Sequence, residues 1–146
     1  MISILKKFHL LFVFVSFFAL FGCSDNSPEG VAKGFTEALY DSDFDKALTY
    51  LYYKTSSEQE KEMTEQLIRG KFATFIPTEL NTIEEKFGGI KSISVDKVEM
   101  NGDDKARVKI IMQFKKAYKG VDYKIRDVKV FKVDDKWYVD TFIYTN

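Results

Sequence analysis

The chain is poor in the residues that most often carry metal and nucleophilic chemistry. Its 146 residues include one cysteine, Cys23, and one histidine, His9. A single cysteine excludes a disulfide within the chain and a cysteine-based zinc site. Basic and acidic residues number 22 each, so the formal net charge is zero. The chain lacks the basic excess that is typical of nucleic-acid-binding domains, and we expect no nucleic-acid partner.

The first 22 residues have the pattern of a secretory signal peptide. Lys6 and Lys7 form a short basic head, a largely apolar run covers residues 8–21, and Gly22 is a small residue at the cleavage edge. The run is too short for a membrane-spanning helix, which needs about 20 apolar residues. The alternative is an N-terminal anchor helix that is never cleaved. Cleavage is favoured because the cysteine directly follows Gly22.

The end of this segment, Leu20, Phe21, Gly22 and Cys23, resembles the lipobox of bacterial lipoproteins. The resemblance implies cleavage before Cys23 and a thioether-linked diacylglycerol on its sulfur. Two or more acyl chains anchor a protein stably. We therefore expect a protein held in the cell envelope by a lipid anchor. In an envelope with two membranes, Ser24 implies the outer membrane, facing the periplasm; otherwise the outer face of the plasma membrane is implied.

Cleavage would leave 124 residues with a formal charge of −2, because both lysines of the signal are lost. Residues 23–27 then form the lipidated cysteine and a short polar tether. Residues 28–146 are long enough for one compact domain with a core.

The first part of this domain has helical periodicity. Ser27 is the predicted N-cap of a first helix, with Pro28 at its first position. A second short helix is predicted from Phe44, capped by Ser42 or Asp43. A third begins at a capping box formed by Ser57 and Glu60 and is predicted to end at Pro77. Its predicted apolar stripe comprises Met63, Leu67, Phe72, Phe75 and Ile76.

After a last helical piece that ends at Gly88 and Gly89, the apolar period changes to two. A first strand shows a phase shift at Asp96 and Lys97, which predicts a bulge. Asn101 and Gly102 predict a hairpin. The next strand is the most regular, with one apolar face: Ala106, Val108, Ile110, Met112 and Phe114.

A loose turn is predicted over residues 115–122, followed by a strand over residues 123–133 with a phase shift near Asp127. A turn at residues 134–136 leads to a last strand over residues 137–144. Helices first and strands afterwards predict an α+β fold, with helices packed on one face of a curved four-stranded antiparallel sheet.

Residues 27–47 resemble the opening helices of nuclear-transport-factor-2-like (cystatin-like cone) domains, and residues 133–140 resemble their closing hairpin. Gly88, Gly89 and Ile90 resemble the small, uncharacterised lipoprotein branch of that family. The resemblance implies the cone fold, with a cavity between sheet and helices. Five aromatic residues either line a pocket there or fill it as core: Phe35, Tyr40, Phe72, Phe75 and Trp137.

Charge is distributed unevenly along the chain. Residues 24–89 carry 7 basic and 13 acidic side chains, and residues 90–146 carry 13 and 9. One interpretation is two solvated surfaces. The other is a basic outer face of the sheet that binds an acidic partner or lipid headgroups, formed by Lys105, Arg107, Lys109, Lys124 and Lys129. A hairpin tip with Lys115, Lys116, Tyr118 and Lys119 is a second, smaller candidate.

The alternating aspartates Asp41, Asp43 and Asp45 resemble the start of a calcium loop. Such a loop requires a glycine next and a glutamate at its twelfth position, and here Lys46 and Tyr52 stand there. We therefore expect helix caps and no metal site.

These observations favour a lipid-anchored, non-catalytic binding or scaffold module. Its expected partners are the membrane, through Cys23, and another envelope protein or a small apolar ligand; no cofactor is expected. The alternative is an enzyme that uses the cavity for acid–base chemistry on a small apolar substrate. A cavity filled by Phe and Trp favours the first hypothesis, and an open cavity with two convergent ionisable groups favours the second.

Overall fold

The structure is a computed structural model that describes residues 26–140. Three helices precede a four-stranded antiparallel sheet whose strands are in the order β1-β2-β3-β4. The elements are α1 (Pro28–Tyr40), α2 (Phe44–Thr49), α3 (Glu58–Phe87), β1 (Ile90–Met100), β2 (Lys105–Tyr118), β3 (Val121–Val133) and β4 (Lys136–Val139). The predicted α+β fold is confirmed.

Each helix begins at a residue whose side chain accepts a hydrogen bond from the backbone amide three positions later. The three N-caps are Ser27, Asp43 and Ser57. Each bond satisfies an amide that has no partner inside the helix. The capping box of α3 is displaced by one residue, because the Glu60 carboxylate accepts from the amide and hydroxyl of Ser56.

Helix α3 is continuous over 30 residues, so the predicted end at Pro77 is wrong. Proline lacks the amide that would bond the carbonyl four residues earlier, here that of Ala73. Both residues are exposed, so this carbonyl lies on the solvent side of the helix. The helix ends at Gly88, which adopts a left-handed conformation with φ of 68°.

The predicted apolar stripe of α3 is also wrong in part. Phe72 and Ile76 are buried, whereas Met63, Leu67 and Phe75 are 59%, 69% and 68% exposed. The reason is the step of five residues from Leu67 to Phe72, which rotates the pattern by about 140° around the helix. The two pairs with a spacing of four therefore lie on different faces, and Phe75 is not part of the core.

The sheet confirms the predicted register of β2. Its predicted inner face is buried against the helices, while Lys105 and Arg107 on the alternate face are exposed. The phase shift in β1 is a register irregularity between Val95 and Lys97, as predicted. The loop between β1 and β2 covers residues 101–104.

The connection from β2 to β3 is tighter than predicted. The two strands pair up to Tyr118 and Val121, and Lys119 and Gly120 form the turn with φ angles of 51° and 79°. Positive φ at both positions is typical of the type I′ turn. The pairing is interrupted on the β2 side between Gln113 and Tyr118.

Strand β3 has no bulge near Asp127, because its register with β2 is continuous from Tyr123 to Phe131. The shift in the apolar pattern instead reflects a change in which face is apolar. Val128 and Val130 are buried on the inner face, whereas Tyr123 and Ile125 are about half exposed on the outer face.

The β3–β4 turn lies at Asp134 and Asp135, whose φ angles are 48° and 61°. Val139 pairs in parallel with Leu51, which connects the end of α2 to the last strand. The predicted extension of β4 to Tyr144 lies outside the described residues.

Candidate functional site

The space between helices and sheet is filled by side chains. Of the predicted pocket residues, Phe35, Tyr40, Phe72 and Trp137 are all buried there. The rings of Phe35 and Phe72 meet edge to face, with centroids 6.1 Å apart. The largest fully buried side chains around them are Leu39, Val108, Ile110, Met112 and Val139.

A polar cluster lies where α1 and α3 meet the inner face of β3. Arg126 Nη1 donates to Tyr40 Oη at 2.7 Å, and Lys124 Nζ donates to Glu79 Oε1 at 2.6 Å. The guanidinium of Arg126 also lies over the Tyr40 ring, 5.5 Å from its centroid. Lys124 therefore belongs to the inner face, and its predicted place on the basic outer face is wrong.

The electrostatics of this cluster stabilise an ionised Glu79. Burial raises the pKa of Glu79. Hydrogen bonds from Lys124 and Tyr40, together with the charge of Arg126, lower the pKa by more than burial raises it. The net result is a pKa below the ordinary value. Glu79 is therefore the ion-pair partner of Lys124.

The other resolved pKa shifts in the described residues point the same way. Burial and the nearby charge of Glu65 raise the pKa of Tyr53 to about 12. Hydrogen bonds from Ser56 lower the pKa of Glu60, and the Lys97–Glu99 pair raises the lysine pKa and lowers the glutamate pKa. Each shift moves its group away from neutrality, whereas acid–base catalysis requires a pKa near the working pH.

The outer face of the sheet is mixed in charge. Register places Glu99, Arg107 and Lys129 in one row across the sheet, and Lys97, Lys109 and Asp127 in the next. Lys97 and Glu99 form an ion pair at 2.9 Å. An open groove of about 670 Å³ at one end of this face is lined by both signs of charge, from Glu99, Lys105, Arg107, Lys129 and Asp140.

The hairpin tip, defined here as residues 115–123, is exposed throughout. Lys86 and Lys119 lie near the Tyr118 ring, 5.8 and 5.4 Å from its centroid. The edge of Tyr118 also meets Phe87, the last residue of α3, at 5.9 Å. Of the predicted tip residues, Lys119 therefore lies near the Tyr118 ring, together with Lys86 of α3.

The three aspartates after α1 are placed as helix-end residues. Asp43 caps α2 through the amide of Lys46, and Asp45 forms an ion pair with Arg69 of α3. Over residues 26–140, no group of three or more His, Cys, Asp or Glu side chains is arranged to hold a metal ion.

The sequence interpretation missed the exposed apolar row of Met63 and Leu67 on α3. The signal was present as a spacing of four residues that is out of phase with Phe72 and Ile76. The lipobox residues Leu20, Phe21, Gly22 and Cys23 lie outside the described residues. Within residues 26–140, no helix combines the length and the apolar character needed to cross a membrane.

Comparison with solved structures supports an NTF2-like domain. A Campylobacter jejuni protein, provisionally described as an NTF2-like transpeptidase, is 25% identical with a TM-score of 0.58; the match covers 77% of this chain and 96% of that one. An NTF2-like protein of unknown function from Shewanella oneidensis is 18% identical with a TM-score of 0.40, and the match covers 75% of this chain and 88% of that one.

The helices, the curved sheet and the likeness to the Campylobacter structure define an NTF2-like α+β domain. The model of one family, described as Domain of unknown function (DUF4878), matches residues 21–140, and the chain belongs to that family. No curated protein matches the chain.

Proposed function

We propose that this protein is a lipid-anchored cell-envelope protein whose domain binds or scaffolds other molecules without catalysis. The observation that carries the anchor is the run from Leu20 to Cys23, which ends an apolar segment and contains the only cysteine. Two features support the non-catalytic role: the interior is filled by Phe35, Phe72 and Trp137, and the resolved pKa shifts point away from neutrality. Its partners are the membrane and another envelope protein or a small apolar ligand.

The test of the anchor is acyl labelling and membrane fractionation of the wild type and Cys23→Ser. The thiolate is the group that takes the thioether, so the variant loses the label and either accumulates uncleaved or leaves the membrane fraction. Ser24→Ala is the matched control and keeps the label. Normal processing and membrane retention of Cys23→Ser would refute the lipid anchor.

One observation favours an enzyme as the second candidate. The Tyr40 hydroxyl and the Glu79 carboxylate converge on the inner face of the sheet. The described residues contain no cysteine or histidine that could serve as nucleophile or base.

The two candidates differ in what Tyr40→Phe does in a strain from which the gene has been deleted. The variant keeps the ring and removes the hydroxyl. If the protein is a non-catalytic module, the Tyr40→Phe variant complements the deletion as well as the wild-type protein does. An enzyme that depends on the hydroxyl does not, provided the variant is equally abundant.

A further inference from the structure

The N-terminal third of α3 carries an exposed apolar and acidic surface. Met63 and Leu67 lie one turn apart and point away from the face that packs on the domain. Residues 58–67, called here the helix patch, contain four glutamates and one lysine. Single exposed apolar residues are common, but a neighbouring pair within a segment of net negative charge forms a surface that suits a partner, even though Lys61 pairs there with Glu58 at 3.6 Å.

The hairpin tip also exposes apolar side chains, but its net charge is positive. Tyr118, Val121 and Tyr123 are 39%, 50% and 48% exposed. Three lysines and one aspartate lie among residues 115–123. Within residues 26–140, neither Lys116 of the tip nor Glu62 of the helix patch forms an ion pair.

The two surfaces lie at opposite ends of one helix. The helix patch begins α3, and Phe87 at the other end stacks on Phe114 at 4.3 Å and contacts Tyr118 of the tip. A helix of 30 residues is about 45 Å long. The two surfaces therefore cannot meet within one molecule.

We propose that the helix patch of one copy binds the hairpin tip of a second copy. Opposite charge favours the encounter and sets its orientation, and the exposed apolar side chains supply burial. Because different surfaces meet, each added copy leaves one helix patch and one tip available, and the contact produces head-to-tail chains. This inference does not rest on the proposed lipid anchor, and it applies to the detergent-solubilised protein, in which the copies are not all held with their tips on the same side.

The test is sedimentation velocity of the full-length protein in non-ionic detergent over a range of concentrations. We expect the wild type to associate as its concentration rises and to associate less at high salt, which screens exposed charges. Lys116→Glu with Lys119→Glu makes both surfaces acidic, and Glu62→Lys with Gln66→Lys removes the net negative charge of the helix patch. Each double variant alone should associate on the order of tenfold more weakly.

Mixing the two double variants provides the decisive measurement. In the mixture, the unchanged acidic helix patch of one variant meets the unchanged basic tip of the other, so association should return towards the level of the wild type. Restoration also shows that neither variant lost association through misfolding. Lys54→Glu with Lys91→Glu is the matched control, since it changes net charge equally at exposed positions outside both surfaces and should leave association unchanged.

Three outcomes would overturn the proposal. They are a wild type that remains monomeric at every concentration, a mixture that stays as dissociated as its components, and a control that loses as much association as the variants. A fourth outcome assigns the tip to lipid instead: Lys116→Glu with Lys119→Glu abolishes binding to phosphatidylglycerol vesicles and leaves self-association unchanged.

Discussion

Trp137 is a large, buried side chain that we expect to contribute strongly to the stability of the fold. It is 5% exposed in β4, and its backbone amide donates to Asn26 Oδ1 at 3.0 Å. Trp137→Ala should lower the free energy of unfolding by about 3–5 kcal/mol, measured by urea denaturation. Tyr138→Ala, next to it on the outer face, is the control and should cost less. An unchanged midpoint for Trp137→Ala would contradict the core role.

Glu79 gives a prediction about pH. Its folded-state pKa lies below the ordinary value of 4.5, so it stabilises the fold above pH 4.5 and loses this contribution as pH falls through the folded-state pKa. Glu79→Gln should cost about 2 kcal/mol at pH 7, the value of a charge-assisted hydrogen bond, and less at pH 3. Urea midpoints at both pH values measure this. Glu62→Gln, at an exposed position of the same helix, is the control and should cost less at pH 7. A constant effect of Glu79→Gln at the two pH values would refute the prediction.

Single residues also show where sequence reasoning ended. Val31, Phe35 and Leu39 recur every four residues, a spacing that by itself places Phe35 on one apolar face of α1. The inward orientation of Lys124 and Arg126 does not follow from spacing, because a charged side chain on an inner face requires partners that the local pattern does not reveal. Those partners, Glu79 and Tyr40, are 45 and 86 positions away along the chain.

At the scale of elements, two glycines inside helices differ in whether a larger side chain fits at their position. An added Cβ at Gly70 of α3 would meet open space, whereas at Gly34 of α1 it would lie 2.8 Å from Tyr50 Cζ. Alanine is favoured over glycine in a helix by about 1 kcal/mol. Gly70→Ala should therefore raise the thermal midpoint, while Gly34→Ala should lower it because the Tyr50 ring must move. Equal effects of the two substitutions on the midpoint would contradict this reasoning.

The elements differ in how well their patterns predicted them. Strand β2 was predicted in detail because one face packs on the helices and the other meets water, so its alternation is complete. Helix α3 was not, because its apolar residues lie on two faces and only one of these packs on the domain. A pattern records apolar character, and it does not state whether the domain itself or another molecule covers each face.

At the scale of the whole molecule, Asn26 fixes where the chain enters the domain. Its side chain donates to the Asp135 carbonyl at 2.8 Å and accepts from the Trp137 amide. Both bonds join the start of the domain to the β3–β4 turn. The amide of Lys132 donates to the Asp104 carbonyl at 2.7 Å, so the β1–β2 loop lies at the same end. The hairpin tip lies at the other end of the sheet.

This geometry predicts the orientation of the domain if Cys23 is lipidated as proposed. Three Cα steps separate Cys23 from Asn26, a reach of at most about 11 Å. Strand β3 has 13 residues and spans about 40 Å between the two ends of the sheet. The β3–β4 turn should therefore lie near the membrane, and the hairpin tip should point away from it.

The measurement uses a fluorophore on the lipidated full-length protein, attached to a cysteine introduced by Asp135→Cys or by Lys119→Cys. A quencher in the lipid headgroups should reduce emission strongly at position 135 and weakly at position 119. Asn26→Ala removes the hydrogen bonds of the Asn26 side chain to Asp135 and Trp137. The domain can then tilt on its tether, so the difference in quenching between positions 135 and 119 should become smaller. Equal quenching at the two positions in the protein that retains Asn26 would mean that the domain lies flat, with the hairpin tip also at the lipid surface.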